Sequence, residues 1–534
     1  MRRGRALGAV LCSAGLLALS VPETAAAETR SAPTSEDSPV PPSSTPALVP
    51  DRETTQQAIL LFNDAVTVQA DGRHNRLLRA LRHLEAPELG PLFVGLSRAD
   101  HPSLRVHGML GIAELNQPRG LTPSDIATVP RPDVQAELIS AALDGELIDP
   151  PTRLALLGWQ GLDPGVKLLL SSPLVAAGDF DKDSPGYADL LEALDDPALG
   201  KKGLAGLLLT QLGNDQGKQV LADLRRSTHP SAQAAQATLL ETAWSHGLNG
   251  CADWAYSIAT TPDLPPRLEM LALKVAIRFG DRRADAWWSE RWSNSEDITF
   301  QTRLAWVGLE AAPWMDAERF EPLIDSEDEL VAQLGRTAQA ISMSRNDTAE
   351  FPEVETRVIN LIETNHPLAC RWATRYAQDI GSAEFASAVV LRTEPGEPRG
   401  RARRLDAVVR STQTLIELEP IQAKTLIVTA LQSETVEPAW QRGVLLGLIR
   451  SRSDEAREIV QELPAFSDLD TQALALVLRL QSPEPLTEEQ TQTLSRVIRG
   501  GAELDDSLRI QLAWTYLQQT GQGQEAIAAV LAQP

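Results

Sequence analysis

The sequence predicts an all-α fold: an α-solenoid of stacked helical hairpins with a repeat of about 34 residues. Three observations carry this. Apolar faces of helical period begin near residues 230, 265, 298, 330, 366, 400, 437, 469 and 505. Their starts are 35, 33, 32, 36, 34, 37, 32 and 36 residues apart, and a second helical pattern lies within each interval. No alternation of period two runs long enough to make a strand.

Residues 365–381 (NHPLACRWATRYAQDIG) show the plan of one unit. Ala369, Trp372, Ala373, Tyr376, Ala377 and Ile380 recur at the spacing of one helix face. Asn365 or His366 can cap the free N–H groups of the first turn. Pro367 costs nothing there because its missing N–H would have no partner. Gly381 can adopt the left-handed conformation that stops a helix. Such a helix cannot bury its face alone, so a chain of them must stack.

Taken in order, the 534-residue chain opens on Arg2, Arg3 and Arg5, followed by an apolar run over 6–21 that is short for a bilayer span. Pro22 and then Ala25, Ala26 and Ala27 complete the pattern of a signal peptide over 1–27. Residues 28–51, rich in Pro, Ser and Thr, read as a disordered linker. Irregular N-terminal helical repeats are expected over 52–198 and a regular solenoid over 199–534. Nothing after the leader approaches the length of a membrane span, so no integral span is expected once the leader is cleaved. The leader implies export, to the periplasm or the cell exterior.

A formal charge of −23 and a pI near 4.8 exclude a basic, phosphate-binding surface and hence a nucleic-acid partner. Beyond the leader only Cys251 and Cys370 occur. They lie more than three repeats apart, so they are read as small buried hydrophobes and not as a disulfide or metal pair. His101, His229 and His366 precede prolines at helix starts and suit capping. No H-E-x-x-H, C-x-x-C, G-x-S-x-G or Walker sequence is present.

Several helices open on an acidic or polar residue, then proline, then an arginine about one turn in. The pairs are Asp100 with Arg105, Asp149 with Arg153, Asp263 with Arg267, Asn365 with Arg371 and Glu437 with Arg442. This pattern resembles the HEAT and HEAT-like repeat family. The resemblance implies that the carboxylate caps its own helix and that the arginine ties neighbouring repeats together. It also implies a protein that binds partners and does not catalyse. The last unit, Leu512 to Tyr516 and on to Ile527, looks somewhat like a tetratricopeptide repeat, the rival family with a similar period.

Two further constellations stand out. Trp254, Trp287, Trp288, Trp292, Trp306 and Trp314 crowd together, with Arg283, Asp285, Glu290 and Arg291 among them. As a surface they would seat a partner, with Trp254, Trp287, Trp288 and Trp292 as anchors and Arg283 and Arg291 as accessories; as core they would fill the space between repeats. Asp179, Asp181 and Asp183 occupy alternate positions of a loop, as weakly bound Ca²⁺ requires. Ser184 and Leu190 depart from the calcium-loop pattern, and no other cofactor is implied. The arginines between Arg392 and Arg410 read as a solvated helix face.

The expected function is thus an exported scaffold for a protein or peptide partner, without catalytic activity. The alternative is an (α/α) toroid, an enzyme or a binding module, acting on polysaccharide.

Overall fold

The computed structural model describes residues 52–531 apart from 69–71, 85, 117–119, 146, 228, 345–350, 395–397, 433–436, 452, 460–461, 465, 480–485, 498–503, 505, 521–526 and 529–530. The expected leader and linker therefore lie outside the described residues. Among those described there is helix, 3₁₀ turn and loop, and no strand. The chain is an all-α solenoid of stacked helical hairpins.

The N-terminal helices are α1 (Arg52–Val68), α2 (Gly72–Arg82), α3 (Gly90–Leu96), α4 (Pro102–Leu115), α5 (Pro123–Ala127), α6 (Pro132–Asp144), α7 (Pro150–Leu157), α8 (Pro164–Ala177) and α9 (Tyr187–Glu192). The central ones are α10 (Leu199–Gln211), α11 (Asp215–Arg226), α12 (Pro230–His246), α13 (Ala252–Ala259), α14 (Pro266–Arg278), α15 (Arg282–Ser293), α16 (Ile298–Ala311), α17 (Glu321–Ile324), α18 (Glu329–Ser344) and α19 (Phe351–Glu363). The last are α20 (Pro367–Ile380), α21 (Ala383–Arg392), α22 (Arg401–Leu418), α23 (Pro420–Leu431), α24 (Pro438–Ser451), α25 (Asp454–Ile459), α26 (Leu469–Arg479), α27 (Glu488–Arg496) and α28 (Asp506–Thr520). The nine starts read from the sequence between 230 and 505 each fall within one residue of an observed helix.

Local chemistry explains that agreement. At α20 the His366 ring accepts from the backbone N–H of Leu368 at 3.3 Å, Pro367 fills the first turn, and Gly381 at φ 68° ends the helix.

The even-numbered helices pack successively on one another from α2 to α18 and again from α20 to α28. The odd-numbered helices touch along their row only in places. The closer spacing puts the even row inside the curve. Contacts that skip a repeat show the same curvature. Glu310 on α16 bonds Arg375 on α20 at 3.0 Å, past α18, and Trp306 stacks on His366 with ring centroids 5.6 Å apart.

The row also returns on itself. Helix α28 packs on α2, and buried Trp514 of α28 lies 5.9 Å, ring to ring, from buried Phe62 of α1. The solenoid is closed end to end, the outline expected of the alternative toroid reading.

A second device fixes how several helices enter. A long donor four residues past the N-cap turns back to a carbonyl of its own incoming loop. Arg105 donates to Ala99 (3.0 Å), Gln135 to Val129 (2.5 Å), Arg153 to Ile148 (3.0 Å), Gln301 to Ser295 (2.7 Å) and Gln472 to Phe466 (2.6 Å). Each bond satisfies a carbonyl that the turn would otherwise leave unpaired.

Candidate partner-binding surface

The residues singled out in the sequence divide sharply between core and surface. Trp254, Trp288 and Trp292 are buried. Trp254 donates its Nε1–H to the Leu221 carbonyl at 2.8 Å, and Trp288 donates to Leu304 at 2.9 Å. Trp292 stacks on Trp288 at 6.4 Å, and Phe320 meets Trp288 edge-on at 6.0 Å. A Cβ on Gly308 would come within 2.9 Å of the Trp288 ring, so the helix is shaped around it. These three rings are filler between hairpins. As anchors for a partner they are corrected, because reaching them would require opening the core.

Trp287, Arg283 and Arg291 stay accessible. Arg283 lies 4.3 Å over the Tyr256 ring and bonds Asp281 and Asp253. Arg291 pairs with buried Glu269 at 2.8 Å and faces Phe300 and Trp287. The Nε1–H of Trp287 is buried without an acceptor among the described residues.

The paired opener and arginine residues do several different jobs. Asp149 caps its own helix by accepting from Thr152 N–H at 2.8 Å. At α4 the N-cap is His101, beyond Asp100, and at α14 it is Pro265, beyond Asp263. Neither carboxylate caps, because the proline-containing turn places each one too early. Asn365, at φ 50°, exchanges two amide bonds with the backbone of Glu394 in the next hairpin. Arg442 reaches Asp470 of the next inner helix at 2.9 Å, Glu437 accepts from Arg401 at 3.3 Å, and exposed Arg267 meets Glu241 at 3.6 Å. Arg105 and Arg153 instead turn back to their own loops. Arg371, one position later in its helix than those two, points to solvent.

The calcium loop expected at Asp179, Asp181 and Asp183 is also corrected. One oxygen of the Asp181 carboxylate accepts from both the Asp183 N–H and the Ser184 hydroxyl, which folds that side chain back into the turn. No group of three or more His, Cys, Asp or Glu side chains among the described residues is placed to hold a metal ion. Cys251 and Cys370 are free, buried thiols, and burial pushes Cys251 up to about 12.

A different cluster gathers at the C-terminal ends of inner helices α12, α14, α16 and α20. Lys274 Nζ and the Arg278 guanidinium each lie 4.4 Å from the centre of the Trp244 ring. Trp314 meets Trp244 edge-on at 6.0 Å and lies 5.4 Å from Arg278. Arg278 also donates to the Trp244 carbonyl, a free acceptor at the negative end of α12.

Glu310 accepts from Lys274 at 2.6 Å and from Arg375 at 3.0 Å. Burial pushes that carboxyl up, but the two cations outweigh it and hold Glu310 below its ordinary value. Asp379 has the opposite outcome. Burial pushes it up to about 6 against the pull of Arg375 and Arg278. The arrangement is a loop of alternating charge around an aromatic centre. Arg375 is half exposed at its edge.

No family model matches the chain, and no curated protein does. Solved structures of the karyopherin Kap121p do match. Kap121p bound to the extreme C-terminus of the protein phosphatase Cdc14p is 14% identical over 87% of this chain and 54% of that one, with a TM-score of 0.29. Kap121p bound to Ste12p gives 14%, 87%, 53% and 0.31, and bound to RanGTP it gives 13%, 88%, 53% and 0.27. The chain resembles these HEAT-repeat solenoids in fold. It spans about half their length, and at this level the likeness brings no partner or activity with it.

The same finding corrects the expected location. The structures matched are of a karyopherin, with RanGTP, Cdc14p and Ste12p as its ligands, and not of a secreted or periplasmic protein. Among the described residues no helix is long and apolar enough to cross a membrane.

Proposed function

We propose that this chain is a non-catalytic scaffold that seats a protein or peptide partner on the inner rim formed by Trp244, Lys274, Trp314 and Arg375, with buried Arg278 supporting the Trp244 ring from beneath. The observation that carries this reading is the Trp244 cluster. Three cations and two indole rings converge there, against one carboxylate held ionised and one pushed toward its protonated form. In a chain of net charge −23 this is a local excess of positive charge beside an aromatic platform. It suits a partner segment that carries a carboxylate next to an apolar side chain. The regular part, 199–534, then holds the seat. The outer patch of Trp287, Arg283 and Arg291 is a second, weaker contact for the same partner.

Crosslinking in the host cells followed by mass spectrometry tests this. Links to one recurrent protein, concentrated between residues 244 and 380, support it. A protein partner linked only elsewhere on the ring removes the seat from this rim.

End-to-end closure favours a second reading, a toroid acting on polysaccharide. One carboxyl held ionised (Glu310) and one raised toward 6 (Asp379) divide the roles of general base and acid, and tryptophans line the same rim. Release of reducing sugar from a polysaccharide panel, lost in Asp379→Asn, would favour this reading over the scaffold.

A further inference from the structure

The geometry points to a separate small-ligand site in the N-terminal third, a pocket that takes a carboxylate with an apolar body. Between α4 and α5 lies a cavity of about 590 Å³, a size within the roughly 300–1,000 Å³ that small-molecule sites occupy. Its apolar wall is Met109, Ile112, Ala113 and Leu121, and exposed Arg98 and half-buried Arg105 complete the lining.

The polar lining is largely committed, and the two arginines are the exceptions. Ser97 donates to the Val94 carbonyl at 2.9 Å, Asn116 to Ile112 at 2.9 Å and Thr128 to Asp125 at 2.6 Å. The Asp125 carboxylate is held by the backbone N–H and the hydroxyl of Thr122, which close the capping box of α5. Arg105 uses only its Nε–H, on Ala99. Its two terminal amino groups, and the whole Arg98 guanidinium, meet no acceptor among the described residues.

The walls are fixed. A Cβ on Gly108 would fall 2.3 Å from Ser97 N, which locks α4 against α3. Gly120, at φ 61°, would bring a Cβ to 2.3 Å from the Leu147 carbonyl. A preformed apolar slot with two unpaired guanidinium forks at its mouth recognises a carboxylate bidentately and buries its tail. The carboxylate could belong to a free medium-chain acid or to the C-terminus of a peptide, and the shared chemistry is the same.

Titration calorimetry on the full chain, with decanoate, decanol and the peptides acetyl-Leu-Leu-Leu acid and amide, tests the proposal. Decanoate or the peptide acid should bind at least about tenfold tighter than its neutral counterpart, and whichever binds better names the source. Arg98→Glu, at an exposed position, should remove that preference while leaving the circular dichroism spectrum unchanged. Arg105→Lys keeps a donor for Ala99 and should weaken binding less. Equal binding of acid and neutral probes, no binding of any probe, or full binding by folded Arg98→Glu would overturn the site.

Discussion

Asp379→Asn isolates the electrostatic cost stored in the Trp244 cluster. The Asp379 carboxyl titrates at about 6 in the folded chain against an ordinary 3.8, and burial is the main cause. The groups facing it are Arg375 and Tyr376 on its own helix and Arg278 on α14. The native state therefore binds the proton more tightly than the unfolded chain. The carboxyl costs nothing well below pH 4; its cost grows between about pH 4 and 6 and is constant above that.

At about 1.36 kcal/mol per pKa unit, the ceiling is about 3 kcal/mol above pH 7. Solvent screening at a half-buried site reduces it, while the attraction to the two arginines is already counted in the net shift. Asparagine cannot ionise, so Asp379→Asn should stabilise the chain by about 1–2 kcal/mol at pH 7.5 and by about a third of that at pH 4.5. Thermal melts followed by circular dichroism at the two pH values read this directly. Tm should rise at pH 7.5 by about 2 °C per kcal/mol or less, given the length of the chain. An equal shift at both pH values, or a fall at pH 7.5, would show that Asp379 is a satisfied ion-pair partner and refute the reasoning.

Four other substitutions have defined outcomes. Trp288→Ala removes a fully buried ring and its bond to Leu304, and should cost about 3–5 kcal/mol in urea denaturation. Trp514→Ala loosens the contact with Phe62 that closes the ring, so small-angle scattering should show a larger radius of gyration with unchanged helicity. Gln301→Leu leaves the Ser295 carbonyl unpaired and should cost about 1–3 kcal/mol, whereas Arg371→Leu, at a solvent-facing site, should stay within about 0.5 kcal/mol.

The helices were legible because their punctuation is local. A cap, a proline in the first turn and a closing glycine act within a few residues, which is why α20 and its relatives begin where the sequence places them. Closeness of the tryptophans in sequence leaves core and surface undecided, because it does not say which way a helix face is turned. Trp288 and Trp292 share one face of α15, and that face is turned into the core.

The proposed seat was invisible for the converse reason. Trp244, Lys274, Glu310 and Asp379 come from four helices and meet only because the inner row curves tightly enough for α16 to touch α20. Ring closure depends on a contact between the two ends of the chain, which no local period encodes. The turned-back donors did leave a signal. A glutamine or arginine four residues past the cap recurs at 105, 135, 153, 301 and 472, and the opener–arginine pattern contains only its arginine members.

The central claim is that the inner rim, and not the buried tryptophans, holds the partner. The direct test compares partner recovery after crosslinking for wild type, the double variant Trp244→Ala with Arg375→Glu, and the outer-patch variant Arg283→Ala, all with matched helicity. The account predicts a loss of about thirtyfold for the rim variant, the size expected for removing a central anchor, and little change for Arg283→Ala. Full recovery by a folded rim variant would contradict it.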